Sequence, residues 1–137
     1  MPTQFELVAP ESRLASEQTE MVVIPAESGD MGVLEGHAPV VASLVPGVVR
    51  LYNRIDAMEP VKKYFVGGGF ADVSQERCAV LAEDCQLLED LDPSAIRQNL
   101  AYLEEDLGVT QDERDRARLQ DKIRREYAKL AAIGETE

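Results

Sequence analysis

At 137 residues, 45% of them hydrophobic, the chain has material for one ordinary domain or a small domain with an appendage, and with no Trp and only 5% aromatic residues its core must be aliphatic. A formal charge of −12 argues against a nucleic-acid partner and against adsorption to anionic lipid, which both demand a surplus of Lys and Arg. Two cysteines do not make a disulfide scaffold and fit a reducing, cytoplasmic setting.

The opening Met1-Pro2-Thr3-Gln4-Phe5-Glu6 has neither a basic start nor an apolar run, so no signal or transit peptide is expected, which favours a bacterial cytoplasm. Residues 1–90 read as short β-rich runs punctuated by turn residues. "QFELVA" alternates, "EMVVIPA" is β-branched, and "PVVASLVPGVVRLY" reads as two runs joined at Pro46-Gly47, a pair suited to the centre of a type II hairpin turn. "KKYFVGGGFADVS" and "RCAVLAE" supply further strands. The longest apolar stretch, residues 38–49, is broken by Pro39 and Pro46 and falls short of the roughly 20 residues of a membrane span. Many short strands without intervening helices predict an antiparallel β-sandwich or barrel, not a parallel βαβ sheet.

After Leu91 the period becomes helical. Asp92 suits an N-cap and Pro93 the first helical position; Ile96, Leu100, Leu103 and Leu107 form one stripe, and Gly108 reads as a left-handed stop. Thr110 followed by Glu113 matches a capping box opening a second helix, with Leu119, Ile123, Tyr127 and Leu130 on one face. The expectation is a sandwich domain over 1–90 and an antiparallel α-helical hairpin over 91–137. Each helix has only a narrow apolar stripe, so the pair has a small opening free energy and is able to detach and rebind.

His37, the single histidine, lies in "GDMGVLEGHAPV" with Gly32 and Gly36 placed to take backbone angles forbidden to other residues. No nucleophile motif and no second histidine accompany it, so the segment reads as a docking surface or structural loop, with neither a catalytic residue nor a metal ligand. Gly67, Gly68 and Gly69 lack the third glycine of a dinucleotide cradle, since position 72 is Asp72, and read as a bulge or close backbone approach. Cys78 and Cys85 read as small buried apolar residues, and Glu83-Asp84 and Glu89-Asp90 as solvated edges. Residues 114–129 hold seven basic and three acidic side chains. Arg114, Arg118, Lys122, Arg125 and Lys129 gather toward one side, either as a solvated face with pairs such as Asp121–Arg125 or as a contact for an acidic partner. No enzymatic constellation and no cofactor site emerges.

Residues 29–49, "GDMGVLEGHAPVVASLVPGVV", together with "YFVGGGFADV" and "VLAEDC", resemble the epsilon subunits of F-type ATP synthases, called delta in mitochondria. The resemblance spans the whole chain. It implies a sandwich of about ten strands with "VLAEDC" at its last strand, a helical hairpin, and a non-catalytic place in the rotor's central stalk on the cytoplasmic face of the bacterial inner membrane. The implied partners are the gamma subunit, the ring of c subunits and, when the helices extend, the alpha/beta catalytic head. Asp30 matches the acidic position facing the c ring, while His37 and Gly67 to Gly69 lie near positions facing gamma or the ring. The five basic residues of the second helix match the arm that meets an acidic segment of the beta subunit and restrains ATP hydrolysis. Of the nucleotide-binding pattern found in some members only Leu91 and Asp92 match; Ala95 and Ile96 stand where it needs Arg and Ala, so Asp92 reads better as a cap. The rival reading from another class is a free-standing acidic adaptor binding unrelated protein partners.

Overall fold

The structure, a computed structural model, describes residues 2–134; Met1 and residues 135–137, the outer ends of the two expected domains, lie outside the described residues. Eight strands come first: β1 Thr3–Ala9, β2 Ser12–Thr19, β3 Met21–Ala26, β4 Gly29–Val33, β5 Val40–Tyr52, β6 Lys62–Val73, β7 Arg77–Leu81 and β8 Cys85–Leu87. Two helices follow, α1 Pro93–Val109 and α2 Glu113–Gly134, and the chain divides into two compact units between Leu88 and Glu89.

The strands form a β-sandwich from one hydrogen-bonded path, β2-β1-β7-β6-β5-β3-β4, with β8 added on β6. Strand alternation drives it: in β1 the side chains of Thr3, Phe5 and Leu7 point inward and are fully buried. They join Val22, Ile24, Leu51 and Val80 in a single aliphatic core, where each large side chain contributes about 1.5–3 kcal/mol by leaving water. Contacts between strands that are not sheet neighbours close the layers. Glu17 of β2 accepts from Lys62 Nζ at 3.0 Å and Tyr64 Oη at 3.4 Å on β6, and the Tyr64 ring stacks on Phe5 with centroids 5.9 Å apart. Burial, then the Glu17 charge, raises the Tyr64 hydroxyl above its ordinary pKa.

Several expectations are corrected. There are eight strands among the described residues where the resemblance implied about ten, and Pro46-Gly47 makes no hairpin: β5 runs unbroken through it, paired with β6 from Val40↔Val73 to Leu51↔Lys62. Pro46 has no N–H to offer, and it lies where β5's pairing with β3 lapses between Val23↔Arg50 and Ala26↔Leu44. Gly47 packs there against Pro25, to which a Cβ would come within 3.0 Å. The sheet also contains one parallel pair, β1 with β7, so it is not wholly antiparallel. "VLAEDC" crosses the end of β7, a turn and the start of β8. Two strands gave no apolar alternation to detect: β2 is the polar run "SRLASEQT", and β4 is "GDMGV".

The hairpin is as expected in outline and differs at its caps. Asp92 caps α1, accepting from the Ser94 N–H at 3.0 Å, and Ile96, Leu100 and Leu103 are buried. Gly108 does not stop the helix; it stays helical, and Thr110 closes α1 by donating its hydroxyl to the Asp106 carbonyl at 2.6 Å. Because Thr110 faces backward, Asp112 caps α2 instead, accepting from the Arg114 and Asp115 N–H groups at 2.9 and 3.1 Å. Arg116 ties the turn, donating to the carbonyls of Leu107 at 2.8 Å and Thr110 at 3.0 Å. No described helix is long and apolar enough to cross a membrane.

Candidate docking surface

Three of the sandwich's functional candidates, Gly67, Gly68 and Gly69, sit on the ribbon of β5 with β6. Its inward parity reverses midway. On β5, Leu44 points into the core, then Val49 and Leu51 do; on β6, Tyr64 and Val66 do so, then Ala71 and Val73. Both strands change parity at the same level, Pro46-Gly47 on one and Gly67 to Gly69 on the other. At this corner β6 also exchanges its second neighbour, pairing with β8 through Tyr64–Val66 and with β7 through Phe70–Val73. Gly68 and Gly69 take φ of +102° and +119°, and a Cβ on Gly69 would collide with the Leu81 carbonyl oxygen. The Gly67 N–H donates to the Asp84 carbonyl at 2.7 Å. The glycine run is therefore a corner of close backbone approach, as its residues suggested.

The ribbon's outward face before the corner carries three large apolar side chains beside Ser43 and Asp72. Val41, Val45 and Phe70 are 69%, 39% and 48% exposed. Phe70 lies directly across from Ser43, with Val41 and Val45 as its diagonal neighbours. Sequence reading identified these segments as strands without singling out this face. The signal was available: three alternate positions of β5, Val41, Ser43 and Val45, face water, and two of them are valine.

Other candidates fall elsewhere. His37 sits in the loop leading into β5, its N–H donating to the Leu34 carbonyl at 3.1 Å and its Nδ1 lying 2.7 Å from the Ala38 carbonyl oxygen. A carbonyl only accepts, so Nδ1 carries the proton. Gly36 has φ +82° and its N–H donates to the Gln75 carbonyl at 2.7 Å, which pins this loop beside the β6–β7 turn. Asp30 and Gly32 are not in a loop: both are exposed on the edge strand β4. Asp30 faces Arg50 at a distant 3.9 Å. Gly32 needs no special backbone angle, contrary to expectation; its φ is one that any residue adopts, and a Cβ there meets nothing within 4 Å. Cys78 is buried, which pushes its thiol up to about 12. Cys85 is raised by its partial burial and then by Asp84. Among the described residues no three His, Cys, Asp or Glu side chains group to hold a metal ion.

On α2 the basic row divides into two parts. Arg114, Arg118 and Lys122 are exposed, with Arg118 no closer than 4.0 Å to Asp115. Arg125 donates to Asp121 at 2.8 Å, and Lys129 stands 3.3 Å from Glu126, with both side chains of that pair largely withdrawn from water. Positive charge presented to a partner is thus concentrated toward the start of the helix.

Comparison with known proteins agrees with the fold. The profile of the family described as "ATP synthase, Delta/Epsilon chain, beta-sandwich domain" matches residues 2–87. The ATP synthase epsilon chain of Rhodospirillum rubrum is 40% identical over 115 residues, 84% of either chain. That of Rhodospirillum centenum is 38% identical over 134 residues, 95% of this chain and 90% of the relative. Among solved structures, a chain of the Euglena gracilis mitochondrial ATP synthase, seen with its c-ring, shares the fold with a TM-score of 0.75 at 22% identity, covering 96% of this chain and 81% of that one.

Proposed function

Since the chain belongs to the ATP synthase delta/epsilon family, we propose that it is the non-catalytic central-stalk subunit through which rotation of the c ring reaches the catalytic head. Residues 1–90 are its docking part and residues 91–137 its regulatory part. The observation that supports the docking is the set of exposed apolar side chains Val41, Val45 and Phe70 on the β5–β6 ribbon. Three large apolar side chains held outward on a rigid ribbon suit a partner that covers them. We assign this face and the neighbouring His37 loop to the gamma subunit. Asp30 and Gly32, on the exposed edge β4, are assigned to the c ring.

The helical hairpin is assigned to control of ATP hydrolysis, with Arg114, Arg118 and Lys122 making first contact with an acidic surface of the catalytic head and Arg125 and Lys129 joining it. The protein works peripherally, at the cytoplasmic face of the membrane. Gel filtration with purified gamma tests the docking: the full chain co-elutes, while Phe70→Ser and Val41→Lys, the latter placed opposite Asp72, weaken the complex far more than they lower thermal stability. Normal co-elution of both variants sinks the assignment. Truncation after Asp90 tests the control, by whether hydrolysis of the assembled synthase rises.

A further inference from the structure

Glu126, together with Lys129, is withdrawn from water on an otherwise largely exposed stretch of α2. Its side chain is 12% exposed, against 76% for Arg118 and 72% for Arg124. One carboxylate oxygen, Oε1, accepts from Asn99 Nδ2 of α1 at 2.6 Å. The other, Oε2, is withdrawn from water, faces Lys129 Nζ at 3.3 Å and accepts no hydrogen bond among the described residues. A carboxylate removed from water is tolerated only where its partners are correctly placed, so it fits one arrangement of the helices and penalises others.

We propose that Glu126 is a latch: it sets the register of α2 on α1 and the readiness with which α2 leaves that position. Apolar burial on the helix is slight. Among its described residues only Ala132 is buried; Leu119, Ile123 and Leu130 are half-buried, and Tyr127 is exposed. Another contact crossing from α2, Tyr127 Oη to Glu104 at 2.7 Å, lies in water and is correspondingly weak. Arg116 acts at the turn, where the chain already joins the helices. The latch deepens the regulatory reading of the hairpin and rests on that reading only for its effect on hydrolysis.

The test changes Asn99, which is exposed and can be replaced without disturbing the core. Asn99→Asp sets a second carboxylate against Glu126. Two carboxylates in contact repel, and hydrogen–deuterium exchange of the full chain at pH 7 is expected to quicken about tenfold over α2 while β1 and β5 keep their protection. Adding Glu126→Gln restores an amide–carboxylate pair with donor and acceptor reversed, and the protection of α2 returns. A merely structural loss at either position is not rescued by that exchange. Unchanged α2 protection in Asn99→Asp, or no recovery in the double variant, overturns the latch. If exchange behaves as expected but hydrolysis by the assembled synthase is the same for all three chains, the latch stands and the regulatory reading of the hairpin falls.

Discussion

Replacing Gly69 with alanine isolates the demand that the fold places on the β5–β6 corner. Its φ of +119° is one that side-chain-bearing residues rarely adopt, which costs about 1–3 kcal/mol by itself. The new Cβ also overlaps the Leu81 carbonyl oxygen and comes within 3.1 Å of Ala82 Cα, backbone atoms that no rotamer change moves aside. Relief requires β7 to shift from β6, where Phe70 pairs with Leu81, and each ladder hydrogen bond lost costs about 1 kcal/mol. The expected loss is about 3–5 kcal/mol, a large part of the roughly 5–15 kcal/mol that holds an ordinary domain. Gly68→Ala is the control: its φ is +102°, but the nearest atom to its Cβ, Leu44 O, is at 3.6 Å, so strain alone applies, about 1–3 kcal/mol. At about 4–8 °C per kcal/mol for a domain of this size, thermal unfolding followed by circular dichroism is expected to drop by at least ~12 °C for Gly69→Ala, and by clearly less for Gly68→Ala. Equal melting of the two variants refutes the account, because only the backbone collision distinguishes them.

Other positions give independent checks. The Cys78 thiol, pushed up to about 12 by burial from an ordinary 9, holds its proton in the folded state after the unfolded chain has lost it. Its contribution is therefore fully present below pH 9 and disappears as the pH climbs toward 12; denaturant titrations should show stability falling across that window, and Cys78→Ala should flatten the fall. Removing the helix cap with Asp92→Ala is expected to cost about 1 kcal/mol, seen as faster amide exchange in the first turn of α1 with no change in β1. Asp30→Arg breaks only an exposed 3.9 Å pair with Arg50, worth less than about 1 kcal/mol, so the chain should melt normally. Loss of coupled ATP synthesis in the assembled enzyme would then report the c-ring contact, and normal coupling would remove Asp30 from it.

What the sequence discloses depends on whether a residue's role is local. The Asp92 cap, the stripe of Ile96, Leu100 and Leu103, and the alternation of Thr3, Phe5 and Leu7 are written in neighbouring residues, and each was legible. The reading of Pro46-Gly47 failed because its meaning is set by strands remote in the chain: β6 keeps the segment extended, and Pro25 occupies the space that Gly47 leaves. Thr110 failed for a related reason. Its hydroxyl had two helix ends to choose between, and the Asp106 carbonyl took it, leaving the second cap to Asp112. Val41, Val45 and Phe70 were hidden by the opposite error, since an apolar residue in a strand reads as core until the inward parity of both strands is known.

That distinction separates the residues of the glycine-rich motifs into two kinds. Gly36, Gly68 and Gly69 are required by backbone angles, and Gly47 by Pro25, so their presence is explained by the sandwich without any partner. Gly32 is different: its φ is ordinary, a Cβ there meets nothing within 4 Å, and its face is water. Asp30 is held by nothing closer than 3.9 Å, and Val41 and Phe70 lose rather than gain by standing in water. These four contribute little to the sandwich as they are. That is the ground on which they are assigned to surfaces that meet a partner, and alanine at Gly32 is the sparest probe of the assignment, adding one methyl group to the edge of β4 with nothing within 4 Å of it.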